Sequence, residues 1–345
     1  MKQTAVVVAP GRGTYNKAEL GYLKTHHPSS TLLAKFDGYR LQNGQSTISE
    51  LDGAEKFTTA THLRGDNASP LIYTCGLSDF GSIDRSRFDI VGVTGNSMGW
   101  YTALACAGAL DPFGGFTVAN TMGTLMHEHM IGGQLIYPLV DENWCEVPGH
   151  RAWLLGEIGA INSKPGHFLG LSIDLGGMFV LAGSEAGLAA FELAIPAIQG
   201  RYPMRLPGHA GFHTHLQLPV SKLGFDALPS NIFKQPALPL IDGRGAIWHP
   251  HSSNPDQLYD YTLGHQVTEF FDLSAAIRTA AQELMPDVII VLVPGNTLGG
   301  ATAQALIKCQ WRAWTNKSDF QTSAKSSPRL LSMGTADGRR RVTTM

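Results

Sequence analysis

Cysteine is scarce in this chain. Only Cys75, Cys106, Cys145 and Cys309 occur in 345 residues, and no two of them form a CxxC pair. That excludes a disulfide framework or a thiolate zinc site as the organising principle, and makes reduced thiols in a cytoplasmic compartment the expectation. A dominant charge is also missing: 26 Lys and Arg stand against 28 Asp and Glu, so no net field selects nucleic acid or an anionic membrane as partner. Long apolar runs are absent too, and the opening Ala5-Val6-Val7-Val8 is too brief for a secretion signal or a membrane span. There is no HExxH. His127 and His129 stand two positions apart, which splays them on a helix, and Pro250 separates His249 from His251, so no metal site is expected. Gly11-Arg12-Gly13 lacks the third glycine of a dinucleotide fingerprint and the Gly-Lys-Ser/Thr of a phosphate loop.

What is present is a globular composition, 43% hydrophobic and 16% charged, long enough for a large core and two structural units. Three apolar runs, at 5–9, 88–94 and 287–293, each end in a glycine-bearing turn, and the last two lead into helical stretches at 98–110 and 301–307. Buried strands that feed helices predict a parallel α/β sheet. Between 134 and 206 the texture changes to shorter strands near 134–139, 168–173, 179–182 and 204 with a helix over 184–198, which reads as an inserted α+β lobe. Beyond about 313 the chain turns polar, with Ser326-Ser327 and Arg339-Arg340-Arg341, and reads as a loosely attached tail.

The chemical signal is Gly95-Asn96-Ser97-Met98-Gly99, a GxSxG pentapeptide between an apolar strand and a helical run. Glycines on either side let strand and helix approach, the serine hydroxyl projects from the turn, and the helix amino terminus aims N–H groups at an oxyanion. The competing reading is a structural turn whose serine caps the helix. A serine nucleophile needs a base, and from the residues alone His209, His213, His215, His249 and His251 compete for that role.

Residues 95–110, GNSMGWYTALACAGAL, resemble the GHSLGEYSALVCAGAL-type segment of malonyl-CoA:acyl carrier protein transacylases and polyketide-synthase acyltransferase domains. Ala9-Pro10-Gly11-Arg12-Gly13 is similar to the family's FPGQG loop, Gly211-Phe212-His213-Thr214-His215-Leu216 to its xFHSxxM segment, and Val291 through Leu298 to its EVGPGxxL turn. The resemblance implies an α/β-hydrolase-like large subdomain over 1–133 and 207–312. It further implies a ferredoxin-like small subdomain over 134–206, leaving 313–345 as the tail.

For the site, the resemblance implies Ser97 as nucleophile, His213 as base, the Met98 and Arg12 backbone N–H groups as oxyanion donors, and Gln266 or His265 orienting the histidine. Met122 falls where malonyl-transferring relatives carry arginine, and Met178 where they carry glutamine, so both are expected to line an apolar acyl pocket unsuited to a carboxylate. Asn96 and Trp100 also depart from the pattern beside Ser97, with Trp100 narrowing the entrance. The expected activity is acyl transfer from a CoA or carrier-protein thioester, through an acyl-serine, to a phosphopantetheine thiol in fatty acid or polyketide biosynthesis. Acyl-CoA and acyl carrier protein are then the partners, with no tightly bound cofactor, nucleic acid or membrane. An acyl hydrolase and a catalytically degenerate docking module are the alternatives.

Overall fold

The structure is a computed structural model that describes residues 1–344. The expected apolar runs become β1 (Gln3–Ala9), β2 (Phe88–Gly95) and β10 (Val288–Val291). They lie side by side and parallel, with β1 in the middle, pairing Val7 with Ile290 on one side and Val93 on the other. Val6, Val7 and Val8 are wholly buried, as expected for a central strand covered on both faces. Two-residue strands β7 (Leu240–Ile241) and β8 (Ile247–Trp248) extend the sheet beyond β2, and β11 (Leu330–Ser332) extends it beyond β10.

A second sheet is built from β3 (Gly133–Pro138), β4 (Leu169–Asp174), β5 (Met178–Gly183) and β6 (Met204–Arg205), with helices His150–Asn162 and Glu185–Ala194 between them. All pairings among these four strands are antiparallel, in the order β6-β3-β5-β4. A βαββαβ sequence in that spatial order is the ferredoxin-like arrangement. It has its own core, in which Leu135, Leu154, Phe179, Leu188 and Phe191 are buried. A fifth strand, β9 (Phe271–Asp272), comes from the later part of the chain and pairs parallel with β4 through Ile173 and Phe271, which ties the two sheets together.

The expectation of a loose tail does not hold for the described residues. Leu330, Leu331 and Ser332 pair with β10, Met333 and Val342 are buried, and the helix Ala336–Val342 packs beneath the end of the helix Gly65–Ser82. The polar composition belongs to the exposed helix Lys317–Ser326 and hides a short apolar edge strand after it. Residue 345 lies outside the described residues.

Candidate active site

Strand β2 ends at Gly95 and the next helix spans Gly99–Cys106, so the chain reverses within three residues. A Cβ on Gly95 would overlap the Gly99 carbonyl, and one on Gly99 would overlap the Ala9 carbonyl of β1. Only glycine permits that approach. Gly99→Ala is therefore expected to cost about 3 kcal/mol or more, seen as a lower midpoint in urea unfolding; an unchanged midpoint would mean that the turn relaxes freely. Ser97 sits at the apex with φ of 53°, in the left-handed region that a non-glycine residue occupies only when its surroundings enforce it.

The other partner arrives from the loop after β6. His213 also has a left-handed backbone, φ 56°, and its N–H donates to the Val267 carbonyl at 3.1 Å. Its Nε2 lies 2.7 Å from Ser97 Oγ, and its Nδ1 lies 2.7 Å from the Gln266 main-chain oxygen. A carbonyl only accepts, so Nδ1 carries the proton and Nε2 is free to accept from the serine hydroxyl. The Gln266 side chain donates from Nε2 to the Ser97 carbonyl at 3.0 Å, so one residue holds both partners. Gln266 follows a π-helical turn, Tyr261–His265, of the kind common near functional sites. His265 makes no hydrogen bond to His213; its ring stacks on Tyr261, so the orienting role falls to Gln266, chiefly through a main-chain atom.

Burial lowers the pKa of His213 to about 4; the Gln266 hydrogen bond opposes this and His265 adds to it. The His213 imidazole is therefore mostly neutral above that value. If His213 takes the Ser97 proton, kcat/KM for acylation keeps its plateau down to about pH 5 and falls below it, whereas an ordinary histidine loses its base form near 6.5. A pH profile of the acylation rate tests this, and an acid limb near 6.5 contradicts it.

Met98 follows the serine, Arg12 lines the same cavity, and neither backbone N–H donates to another group among the described residues. Unpaired N–H groups of this kind are what an oxyanion requires. The Arg12 side chain turns away: Nη2 donates to the Leu63 and Gly208 carbonyls at 2.9 and 2.8 Å, and its guanidinium lies over the Phe212 ring. Its Nε and Nη1 are buried without a partner, and burial lowers its pKa to about 10, leaving it charged at neutral pH.

These groups open onto a cavity of about 630 Å³ between the two sheets. Asn96 and Met178 line it, together with Ile136, Ile173, Val180 and Phe212. Met122 and Trp100 do not. Met122 is fully buried in the large core and packs against Gly224, while Trp100 is fully buried with its indole N–H on Thr262 Oγ1 at 3.0 Å. Both sit on helices whose other face meets the cavity, and packing, not alignment position, sets which way a helical side chain points. Of the competing histidines, His209 lines the cavity, His215 packs against Phe168, and His249 and His251 are exposed elsewhere. Gln134, Tyr101 and Gln304 also line it. No sequence signal singles them out: Gln134 and Gln304 lie far along the chain from Ser97, and Tyr101, four residues after it, belongs to no catalytic pattern.

No sequence-family profile matches the chain, and no curated protein sequence does. Solved structures do. The malonyl-CoA:acyl carrier protein transacylase of Synechocystis sp. PCC 6803 matches over 99% of this chain and 100% of its own, with a TM-score of 0.72 at 18% identity. That of Xanthomonas oryzae pv. oryzae matches over the whole of both chains, with a TM-score of 0.73 at 15% identity. The chain has the transacylase fold. The fold extends to the acyl transferase domain of ZmaA, which covers 96% of this chain and 70% of that one, with a TM-score of 0.69 at 16% identity. At such identities the shared property is the fold, and the chemistry rests on the geometry around Ser97. Among the described residues, no helix of this transacylase fold is long and apolar enough to cross a membrane, and no group of three or more acidic, histidine or cysteine side chains could hold a metal.

Proposed function

We propose that this chain is a serine acyltransferase of the malonyl-CoA:acyl carrier protein transacylase family, working in fatty acid or polyketide biosynthesis on a non-carboxylated acyl group. The carrying observation is the hydrogen bond of 2.7 Å from Ser97 Oγ to His213 Nε2, with His213 Nδ1 held by the Gln266 carbonyl. Ser97 Oγ attacks the thioester carbonyl while Nε2 takes its proton, and the Met98 and Arg12 N–H groups receive the oxyanion. The imidazolium then protonates the leaving thiolate of CoA. In the second half, a phosphopantetheine thiol gives its proton to the same nitrogen and attacks the acyl-serine ester, and Ser97 recovers its hydrogen. Acyl-CoA and acyl carrier protein are thus substrates, and no bound cofactor takes part.

The acyl class follows from the cations. Among the described residues the lysines and arginines lining the cavity are Arg12 and the exposed Arg201. The Arg12 fork is committed to two carbonyls and its remaining N–H groups are closed off, so it offers no open bidentate edge to a carboxylate. The docking-module alternative loses much of its motive, because Trp100 and Met122 lie in the core and obstruct nothing.

Incubation with radiolabelled acyl-CoA followed by holo acyl carrier protein tests the proposal. Label that stays on Ser97 and then passes to the carrier supports transfer. Prompt release as free acid would assign hydrolysis instead, and no label on Ser97 would end the catalytic reading.

A further inference from the structure

Among the acceptors along the cavity that the acyl transfer described above does not use is Nε2 of His209. Its state follows from a hydrogen-bond chain that begins at a group with a fixed role. The Phe212 main-chain carbonyl accepts from Ser172 Oγ at 2.8 Å. Ser172 has a single hydroxyl proton, so its oxygen accepts from Gln134 Nε2 at 2.6 Å. That orients the amide and leaves Gln134 Oε1 to accept from His209 Nδ1 at 2.8 Å. The proton is therefore on Nδ1, and Nε2 presents a lone pair. Ser172 and Gln134 are buried, which shields the chain from water. Burial together with the nearby Arg12 lowers the His209 pKa to about 3 and keeps the ring neutral. Nε2 has no hydrogen bond among the described residues and is not among the closed-off atoms.

An acceptor set among Ile136, Ile173, Met178, Val180 and Phe212 favours a ligand that brings an O–H or N–H. A carboxylate brings acceptors only and leaves this lone pair without a donor. His209 and His213 line the same cavity from one loop, four residues apart, and His209 lies against Phe212 with ring centroids 5.7 Å apart. Phe212 is the chain neighbour of His213 and lies against His209, so an acyl group seated in this cavity for attack passes close to both histidines. We infer that the acyl group carries a hydroxyl close to the thioester, as in a 3-hydroxyacyl chain, and that His209 Nε2 accepts its hydrogen bond. This rests on the acyl-serine reading above.

The full chain is mixed with butyryl-CoA, 3-hydroxybutyryl-CoA or malonyl-CoA, and the rate of mass gain on Ser97 is followed for each. One neutral hydrogen bond gives the hydroxylated donor an advantage of about tenfold over butyryl-CoA, with malonyl-CoA slowest. In His209→Phe, and independently in Gln134→Leu, which frees the ring to turn, the 3-hydroxybutyryl to butyryl ratio falls to near one. The ratio is taken within each variant, so general damage cancels. Equal rates in the wild type, or a ratio that survives both substitutions, overturns the inference while leaving acyl transfer intact. So does an equal loss with all donors, which would assign the acceptor to a pantetheine amide. No mass gain on Ser97 from any donor overturns the acyl-serine reading and this inference with it.

Discussion

Ser97→Ala is expected to take up no acyl group from any CoA thioester, and His213→Ala to be acylated about ten thousand times more slowly than the wild type. The two losses have different origins. Without the hydroxyl no bond to the acyl carbon can form. Without the imidazole the hydroxyl remains, but its proton has only water to accept it, since no other histidine lies within hydrogen-bonding distance of Ser97 Oγ among the described residues. Removing both should cost no more than removing Ser97 alone, because the groups act as a unit. Gln266→Leu deletes the side-chain bond to the Ser97 carbonyl, with a long one of 3.4 Å from the Tyr101 hydroxyl, and keeps the carbonyl that holds Nδ1. Its rate should fall by about tenfold, as for one lost hydrogen bond. Rapid quench followed by intact mass reads all three. Adduct on Ser97→Ala, or a His213→Ala rate near wild type, would mean that the observed pairing is not the reacting one.

How much of this was legible in the sequence depends on the range over which each feature is decided. Strands β1, β2 and β10 are runs of β-branched residues stopped by glycine, a local property, and they are found where the runs lie. Strands β7, β8 and β9 are two residues each and exist only because a neighbouring strand offers an edge. The edge strand β11 is hidden in the same way inside a polar stretch. In the site, Ser97 is marked by the glycines that its turn requires. The residues alone left five histidines in competition, and the motif resemblance, not periodicity, pointed to His213. The resemblance points to Gln266 or His265, yet the atom that holds Nδ1 is the Gln266 backbone oxygen, which any residue supplies and no alignment can mark. Met122 and Trp100 were misplaced because a matched position on a helix does not fix its facing. The tautomer of His209 depends on Phe212, Ser172 and Gln134 meeting in space, which no spacing rule anticipates.

The largest stability effect should come from a residue remote from this chemistry. Asp79, wholly buried on the helix Gly65–Ser82, receives the Tyr22 hydroxyl at 2.8 Å, His27 Nε2 at 2.7 Å and Arg339 Nη2 at 2.6 Å. One carboxylate therefore fastens an amino-terminal segment and the helix Ala336–Val342 to the core, and Asp79→Ala leaves a partly buried guanidinium without its carboxylate. Burial already lowers the Arg339 pKa to about 10, so this cation cannot discharge near neutral pH. The expected loss is about 3 to 5 kcal/mol. Arg339→Ala should cost less, because the remaining carboxyl can take up a proton: burial raises Asp79 to about 7 with Arg339 in place, against the pull of His27, and removing that cation raises it further. A folded-state pKa above the unfolded value of about 4 means stability that is present below pH 4 and lost as the pH rises through 7. The deficit of Arg339→Ala relative to wild type should accordingly be smaller at pH 5 than at pH 8. Urea unfolding of both variants at the two pH values measures this. Equal deficits for the two substitutions at both pH values would show that the contact is lost as packing and that the trapped charge contributes nothing.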